Sequence, residues 1–347
     1  MTMHMADALL SPAVGGTMWA ASAGTIAWCS TKVRSELDER KVPLMGVLGA
    51  FLFAAQMINF TIPATGSSGH LGGGLLLALL LGPHAAFLTI ASVLVVQALF
   101  FADGGLLALG CNIFNIGFIP AFIVYPFIYK KIIGKNPSQG RMTTAIIISA
   151  LAALQLGPFC VVLQTCFSGV SELPFSAFLL LLQPIHLAIG VVEGLVTVAV
   201  VSFVYKARPE ILEGALKARP IGNHPVRKVL LTFLVAALLT GGLVSWFASN
   251  NPDGLEWAIA GVTGKGELSG PSRGVNGALA SIQEKTAFLP DYAFRKPSVP
   301  AIHPGGNGAE HAPGNLGTSV AGVVGALMTL GIALLIGCFL RRRPQRA

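Results

Sequence analysis

The sequence predicts an all-α polytopic membrane protein, a seven-helix bundle plus two further transmembrane helices joined by a long extracytoplasmic loop. Three observations predict it. Of 347 residues, 53% are hydrophobic and 11% charged, whereas a soluble domain carries about 25% charged residues. Long apolar runs recur along the chain, many of them near the roughly 20 residues that a helix needs to cross the hydrocarbon core. The basic residues then segregate to one side of those runs, as topology rules require.

The spans expected in order are 12–31, 43–62, 83–101, 112–130, 142–167, 175–205, 229–248 and 319–340. Between His70 and Gly82 runs "HLGGGLLLALLLG". It is too short for a standard span and too apolar for an exposed loop. It reads as a short or tilted helix inside the bundle, the ninth segment. With nine segments and the N-terminus outside, the inner stretches 31–43, 130–141, 206–228 and the tail from Arg341 carry 18 of the 23 Lys and Arg residues. The other five fall in 249–318, a long outer loop, and long loops report orientation weakly. Eight segments would place basic loops on both sides. The net charge of +8 is this inner rim. It faces anionic membrane lipid, and a nucleic-acid footprint is not indicated.

Residues 1–205 form one expected domain, 206–228 a charged, Pro-interrupted cytoplasmic linker, 229–340 a second domain of two helices around the outer loop, and 341–347 a basic cytoplasmic tail. The outer loop is rich in Gly, Pro, Ser and Asn, a composition of flexible segments. The five cysteines are scattered in or near apolar runs without a CxxC pair, which excludes a zinc-site spacing and a disulfide framework. No Lys or Arg precedes Lys32, so the positive n-region of a signal peptide is missing and the first apolar segment is expected to stay. "GVTGKGEL" lacks the Ser or Thr of a phosphate-binding loop, and HExxH does not occur, which excludes the usual P-loop ATPase and zinc-protease machinery.

Polar groups inside an apolar bundle are functional candidates. The opening "MTMHMADALL" places His4 beside the N-terminus. An α-amine, intervening peptide nitrogens and an imidazole can form a planar chelate, a tetragonal nitrogen set suited to Ni(II) or Cu(II). A chain beginning at Thr2 puts the histidine third, one beginning at Met3 puts it second, and one beginning at Met1 gives poorer ring geometry. A frayed terminus is the alternative. "TIPATGSSGHLGGG" sets Ser67, Ser68 and His70 among glycines that allow close backbone approach. It reads as a re-entrant site presenting His70, against an incidental Gly-rich turn. His84, in the tight turn "GPH", has no expected ligand role. Asn112 and Asn115 share a helix face, below Asp103 in an outer loop. They can orient a ligand or bond between helices. Gln183, His186 and Glu193 lie in one apolar helix, with His186 and Glu193 two turns apart on one face. They read as a structural polar network, with a second part of a metal pathway as the alternative.

"MHMADALLSP", "TGSSGHLGGG", "ADGGLLALGCNIFN" and "HLAIGVVEGL" resemble, in order, the motifs of the CbiM/NikM family, substrate-binding (S) subunits of energy-coupling-factor transporters for cobalt and nickel. The resemblance covers residues 1–205. The second half, with "NPDGLEWA" and "GTSVAGVVGALM", resembles the small CbiN/NikN partner, here fused. The resemblance implies an N-terminal extension that dips into the bundle and ligates Ni²⁺ or Co²⁺ through Met3, His4 and His70, with Ser67, Ser68, Asn112 and Asn115 around the ligands. Two residues, Met1 and Thr2, precede the Met-His pair, a departure from the pattern. Asp7 is expected to cap the first helix. The resemblance further implies a cell-membrane protein linked to cobalamin biosynthesis, with no catalytic residue and no cofactor. Its partners would be a transmembrane coupling (T/Q) subunit and cytoplasmic ATPase chains. The small-residue stripe Gly46, Ala50 and Ala54 suits close helix contact and offers a docking face for the coupling subunit, with packing inside the chain as the alternative. His303 and His311, flanking Glu310, read as incidental residues of a polar loop, with metal scavenging as the alternative. Two rival functions remain. An S subunit for a vitamin would call for aromatic and hydrogen-bonding walls in place of paired histidines. A membrane metalloenzyme would need a general base near His70, and that loop holds no carboxylate.

Overall fold

The computed structural model describes residues 4–36, 40–134, 138–171, 173–220, 225–266, 268, 274–295 and 315–340. The elements are α1 (Pro12–Glu36), α2 (Lys41–Gln56), the hairpin β1 (Phe60–Ile62) and β2 (Ser67–Gly69), α3 (Gly74–Leu81), α4 (Pro83–Phe101), α5 (Leu109–Ile133), α6 (Gln139–Ser168), α7 (Phe175–Ala207), α8 (Pro209–Lys217), α9 (Arg227–Gly242), α10 (Gly254–Thr263), α11 (Gly274–Thr286) and α12 (Asn315–Leu340). Five of these, α4, α5, α6, α7 and α12, are long and apolar enough to cross a membrane by length and composition. Among the described residues the fold is all-α apart from one short hairpin.

Hydropathy explains the placement of α3. Every residue from Gly74 to Leu81 is buried, so this eight-residue helix can be apolar on all sides. Around it stand α4, α5 and α8, while Phe167, Leu180, Leu195, Leu231 and Phe339 turn outward, as the lipid-facing surface of a membrane bundle does.

The structure corrects or adds to five expectations. The span 43–62 ends as a helix at Gln56, and Phe60–Ile62 pairs antiparallel with Ser67–Gly69. Pro63 and Gly66 punctuate the turn, Gly66 at φ +73°, a conformation that glycine adopts without a Cβ penalty. The linker 206–228 contains α8, whose Ile211, Leu212, Gly214 and Ala215 are buried. Its Pro209 occupies the first turn, where a missing N–H costs nothing. The outer stretch 249–318 is not a loose loop in its first part, because α10 and α11 fold there. Asp253 starts α10 by accepting the N–H groups of Leu255 and Glu256 at 3.0 and 2.8 Å. Asp7 does not cap α1; it sits in a short 3₁₀ turn, and Ser11 Oγ accepts the Val14 N–H at 3.4 Å instead. The stripe Gly46, Ala50 and Ala54 is internal. Ala50 and Ala54 are buried, and a Cβ on Gly46 would press on Leu330 and Leu334 of α12, so α2 packs along the second half of the same chain.

The helices α9 and α12 cross at Gly241 and Gly322, where a Cβ on Gly241 would stand 2.9 Å from the Gly322 carbonyl carbon. Without a hydrophobic drive between helices in lipid, such close backbone approach supplies the packing energy. Gly322→Leu is expected to force the pair apart, costing about 1–3 kcal/mol and lowering the thermal midpoint of the detergent-solubilised protein. An unchanged midpoint in a thermal-shift measurement would show that the crossing contributes nothing.

Candidate metal site

The N-terminal segment enters the bundle along the loop after α4. Asn112 Oδ1 accepts the Met5 N–H at 3.1 Å, and Asn112 Nδ2 donates to Met5 O at 3.2 Å. The Gly105 N–H donates to the same carbonyl at 3.0 Å. Asp7 Oδ1 accepts the Ala108 N–H at 2.9 Å, and a Cβ on Gly105 would collide with Asp7. The main chain of Met5 and the side chain of Asp7 thus fasten the segment, and His4 is 3% exposed. Burial raises the Asp7 carboxyl, against the hydrogen bonds from 106–108.

His70 arrives on the opposite wall from the hairpin. The glycine-rich strand after it is gripped from two sides. The Gly72 and Gly73 N–H groups donate to Glu193 Oε2 and Oε1 at 2.7 and 3.1 Å, and Gln56 Nε2 donates to Gly72 O at 2.9 Å. Gln97 in turn donates to Gln56 Oε1 at 3.0 Å. Gly73 has φ +73°, and a Cβ there would strike Leu52, so the tight descent into α3 requires glycine.

These two walls bring the His4 and His70 rings to 5.2 Å between centroids, tilted by 57°. A metal–imidazole bond is about 2.0–2.1 Å, so one ion can bridge rings at this spacing with a small adjustment. Behind His4, Nδ1 lies 3.1 Å from Asp103 Oδ1, a bent electrostatic contact and not an aligned hydrogen bond. Tyr292 of the second half donates its hydroxyl to Asp103 Oδ2 at 2.6 Å. Burial pushes the Asp103 carboxyl up, but the charge of His4, the Tyr292 hydrogen bond and the more distant charge of His70 outweigh it and hold it at about 2. Asp103 is therefore an anion at neutral pH. A carboxylate beside Nδ1 favours the proton on that nitrogen. Nε2 of His4 has no hydrogen-bond partner among the described residues.

The two rings open on a cavity of about 100 Å³ that Asn112, Asn115, His186, Glu193 and Asp253 also line. Asp253 comes from the second half. Burial, then the neighbouring Glu256 charge, raises its carboxyl above the usual carboxylate range. The segment that carries it covers the hairpin. Ser249 N–H donates to Asn59 O at 2.7 Å, and Ser68 N–H to Pro252 O at 2.8 Å. Ser68 Oγ donates to Asn251 O at 2.8 Å, and Trp257 Nε1 to Thr65 O at 3.0 Å. The helix α11 reaches the end of α4 and the loop after it through Gln283 Nε2, which donates to Ala98 O and Gly104 O at 2.8 and 2.7 Å.

The residues singled out from sequence divide accordingly. His4 and His70 meet. Asn112 holds the main chain beside His4, while Asn115 forms an amide pair with Gln164 at 2.8 and 3.0 Å. Ser67 and Ser68 are buried against the second half. Gln183 exchanges bonds with Gln155 on α6, and His84 packs its ring on Trp28 at 4.9 Å. Met3, His303, Glu310 and His311 lie outside the described residues. Asp103 and Asp253 fall in "ADGGLLALGCNIFN" and "NPDGLEWA", motifs that assign them no role at the site. They complete the surroundings with Tyr292 and Gln56, which lie in no such motif. Among the described residues no three His, Cys, Asp or Glu side chains gather into one metal-binding group, so a metal on this pair needs further donors.

Residues 4–211 match the family described as cobalt uptake substrate-specific transmembrane region. The chain belongs to that family. Residues 227–342 match the PDGLE domain. A fused nickel transport protein of Rhodobacter capsulatus is 29% identical over 373 residues, covering 99% of this chain and all of the relative. A cobalt transport protein of Geobacter sulfurreducens is 27% identical over 70% of this chain and 71% of its own length. The crystal structure of a truncated transition metal transporter superposes with a TM-score of 0.52 at 30% identity, over 59% of this chain and 99% of that one. The chain is thus a multi-pass membrane protein of a nickel and cobalt transport family.

Proposed function

We propose that this chain is the substrate-specificity subunit of an energy-coupling-factor transporter, capturing Ni²⁺ or Co²⁺ with high affinity from outside and delivering it inward. Residues 1–205 form the metal-binding domain, and 229–340 a fused second domain that closes over it. The observation that carries the reading is the buried His4–His70 pair, with an anionic Asp103 behind His4. A carboxylate on the far side of an imidazole fixes its tautomer and raises its basicity as a ligand. Met3 and the main-chain nitrogens near it are the proposed further donors. A nitrogen-rich set suits nickel and is open to cobalt. The N-terminus lies outside and the basic tail inside.

In this reading the chain performs no covalent chemistry. A transmembrane coupling subunit and separate ATPase chains supply the energy. The test is metal accumulation in cells that lack their own nickel and cobalt uptake. Cells expressing the chain with its coupling and ATPase partners should accumulate ⁶³Ni or ⁵⁷Co, and omission of the ATPase chains should return accumulation to background. Equal accumulation without the ATPases overturns the energy-coupling assignment. No accumulation of either metal with the full set overturns the function.

A further inference from the structure

His186 is not explained by the site as described. It sits on α7, one wall of the cavity that His4 and His70 share. A histidine inside a helix bundle ordinarily bonds to a neighbouring helix. His186 does not. Its Nδ1 meets the carbonyl of Leu182, one turn back on its own helix, at 2.9 Å. A carbonyl only accepts, so Nδ1 carries the proton and Nε2 of the neutral ring keeps its lone pair. Among the described residues Nε2 has no hydrogen-bond partner. Nearby on α6 and α7, Gln183 pairs with Gln155, and Gln164 pairs with Asn115.

The second half fixes where the ring stands. A Cβ on Gly254 would come within 3.2 Å of His186 Cε1, so the start of α10 roofs the imidazole with bare backbone. Two turns further along α7, both oxygens of Glu193 are engaged by the strand that follows His70. The same helix therefore positions the His70 loop and presents a third imidazole to the same cavity. The three imidazoles do not form one metal-binding group among the described residues, so His4, His70 and His186 do not hold a single ion together.

We infer that His186, through Nε2, shares with His70 a second divalent-metal position in this cavity, which a cation occupies on its way to or from His4. The inference rests on the reading of His4 and His70 as metal ligands. An imidazole with Nδ1 tied and Nε2 open is the usual state of a histidine ligand. An ion moving between His186 and His4 keeps His70 bound throughout. It thereby avoids passing through a state with no protein ligand.

The test uses the full-length chain in nanodiscs, with Co²⁺ followed by its visible absorption and Ni²⁺ by elemental analysis. His186→Ala should keep the wild-type equilibrium affinity and load metal more slowly, by about tenfold or more on the scale of a lost supporting group. His4→Ala should retain a weaker site with a changed Co²⁺ spectrum. The double variant His4→Ala/His186→Ala should bind none. His186→Gln preserves the side-chain volume without the imidazole and should behave as His186→Ala, which separates ligand loss from a folding defect. The inference is overturned if His4→Ala and the double variant bind metal equally, or if neither His186 variant changes loading. A wild-type chain that binds neither metal would instead defeat the proposed function itself.

Discussion

His70→Ala is expected to leave the full-length chain without bound nickel or cobalt at concentrations that saturate the wild type. His70 is the imidazole that faces His4 across 5.2 Å, and the glycine strand after it is held by Glu193 and Gln56. Loss of an outer-shell partner already costs roughly 10–100-fold in metal affinity, and loss of a ligand should exceed that. Asp103→Asn then sets the scale, because it keeps the shape and removes the charge behind His4. It should weaken binding by about 10–100-fold. Tyr292→Phe removes only the hydroxyl that donates to Asp103 at 2.6 Å, while its ring keeps its stack on Phe101. It should act in the same direction and less strongly. Equilibrium dialysis with elemental analysis orders the three variants. Full metal occupancy in His70→Ala would remove this histidine from the site.

Tyr292 also shows where sequence reasoning stopped. The two histidines were legible because imidazole is rare in an apolar chain and both sit on irregular backbone. The short α3 was legible because its run is too short for a standard span and too apolar for an exposed loop. The hydrogen bond from Tyr292 to Asp103 spans 189 residues, and nothing local to either residue announces it. The same holds for Asn115, whose partner Gln164 is 49 residues away. Its helical spacing from Asn112 suggested a shared role, yet Asn112 holds the Met5 backbone and Asn115 bonds to another helix. The covering segment around Asp253 was hidden by composition. Gly, Pro and Asn mark turns, and the outer stretch holds many. The order of its first part comes from hydrogen bonds to the main chain of a hairpin in the other half. Backbone partners leave no sequence signature, which is also why the partner of Glu193 could not be read.

Removal of that partner is the second large effect. Glu193→Ala should leave the half-buried Gly72 and the buried Gly73 N–H groups unpaired, at about 1–3 kcal/mol each at most. The cost falls on one short strand, because Glu193 is 2% exposed and both its oxygens are spent on those two donors. Gln56 still holds the Gly72 carbonyl from the other side, so the strand should loosen without leaving the bundle. Hydrogen exchange should then accelerate at Gly72 and Gly73 more than in α4, whose buried backbone has its own helical bonds. Metal affinity should fall with it, since His70 sits two residues before the released strand. Glu193→Gln supplies one carbonyl acceptor and turns an N–H₂ toward the second donor, so it should recover part of the protection and part of the affinity. A local role for Glu193 requires protection and affinity to move together across the two variants. If both variants bound metal as tightly as the wild type while exchange accelerated, the anchoring of the strand would serve stability alone, and the placement of His70 would have to come from the hairpin and its cover from the second half.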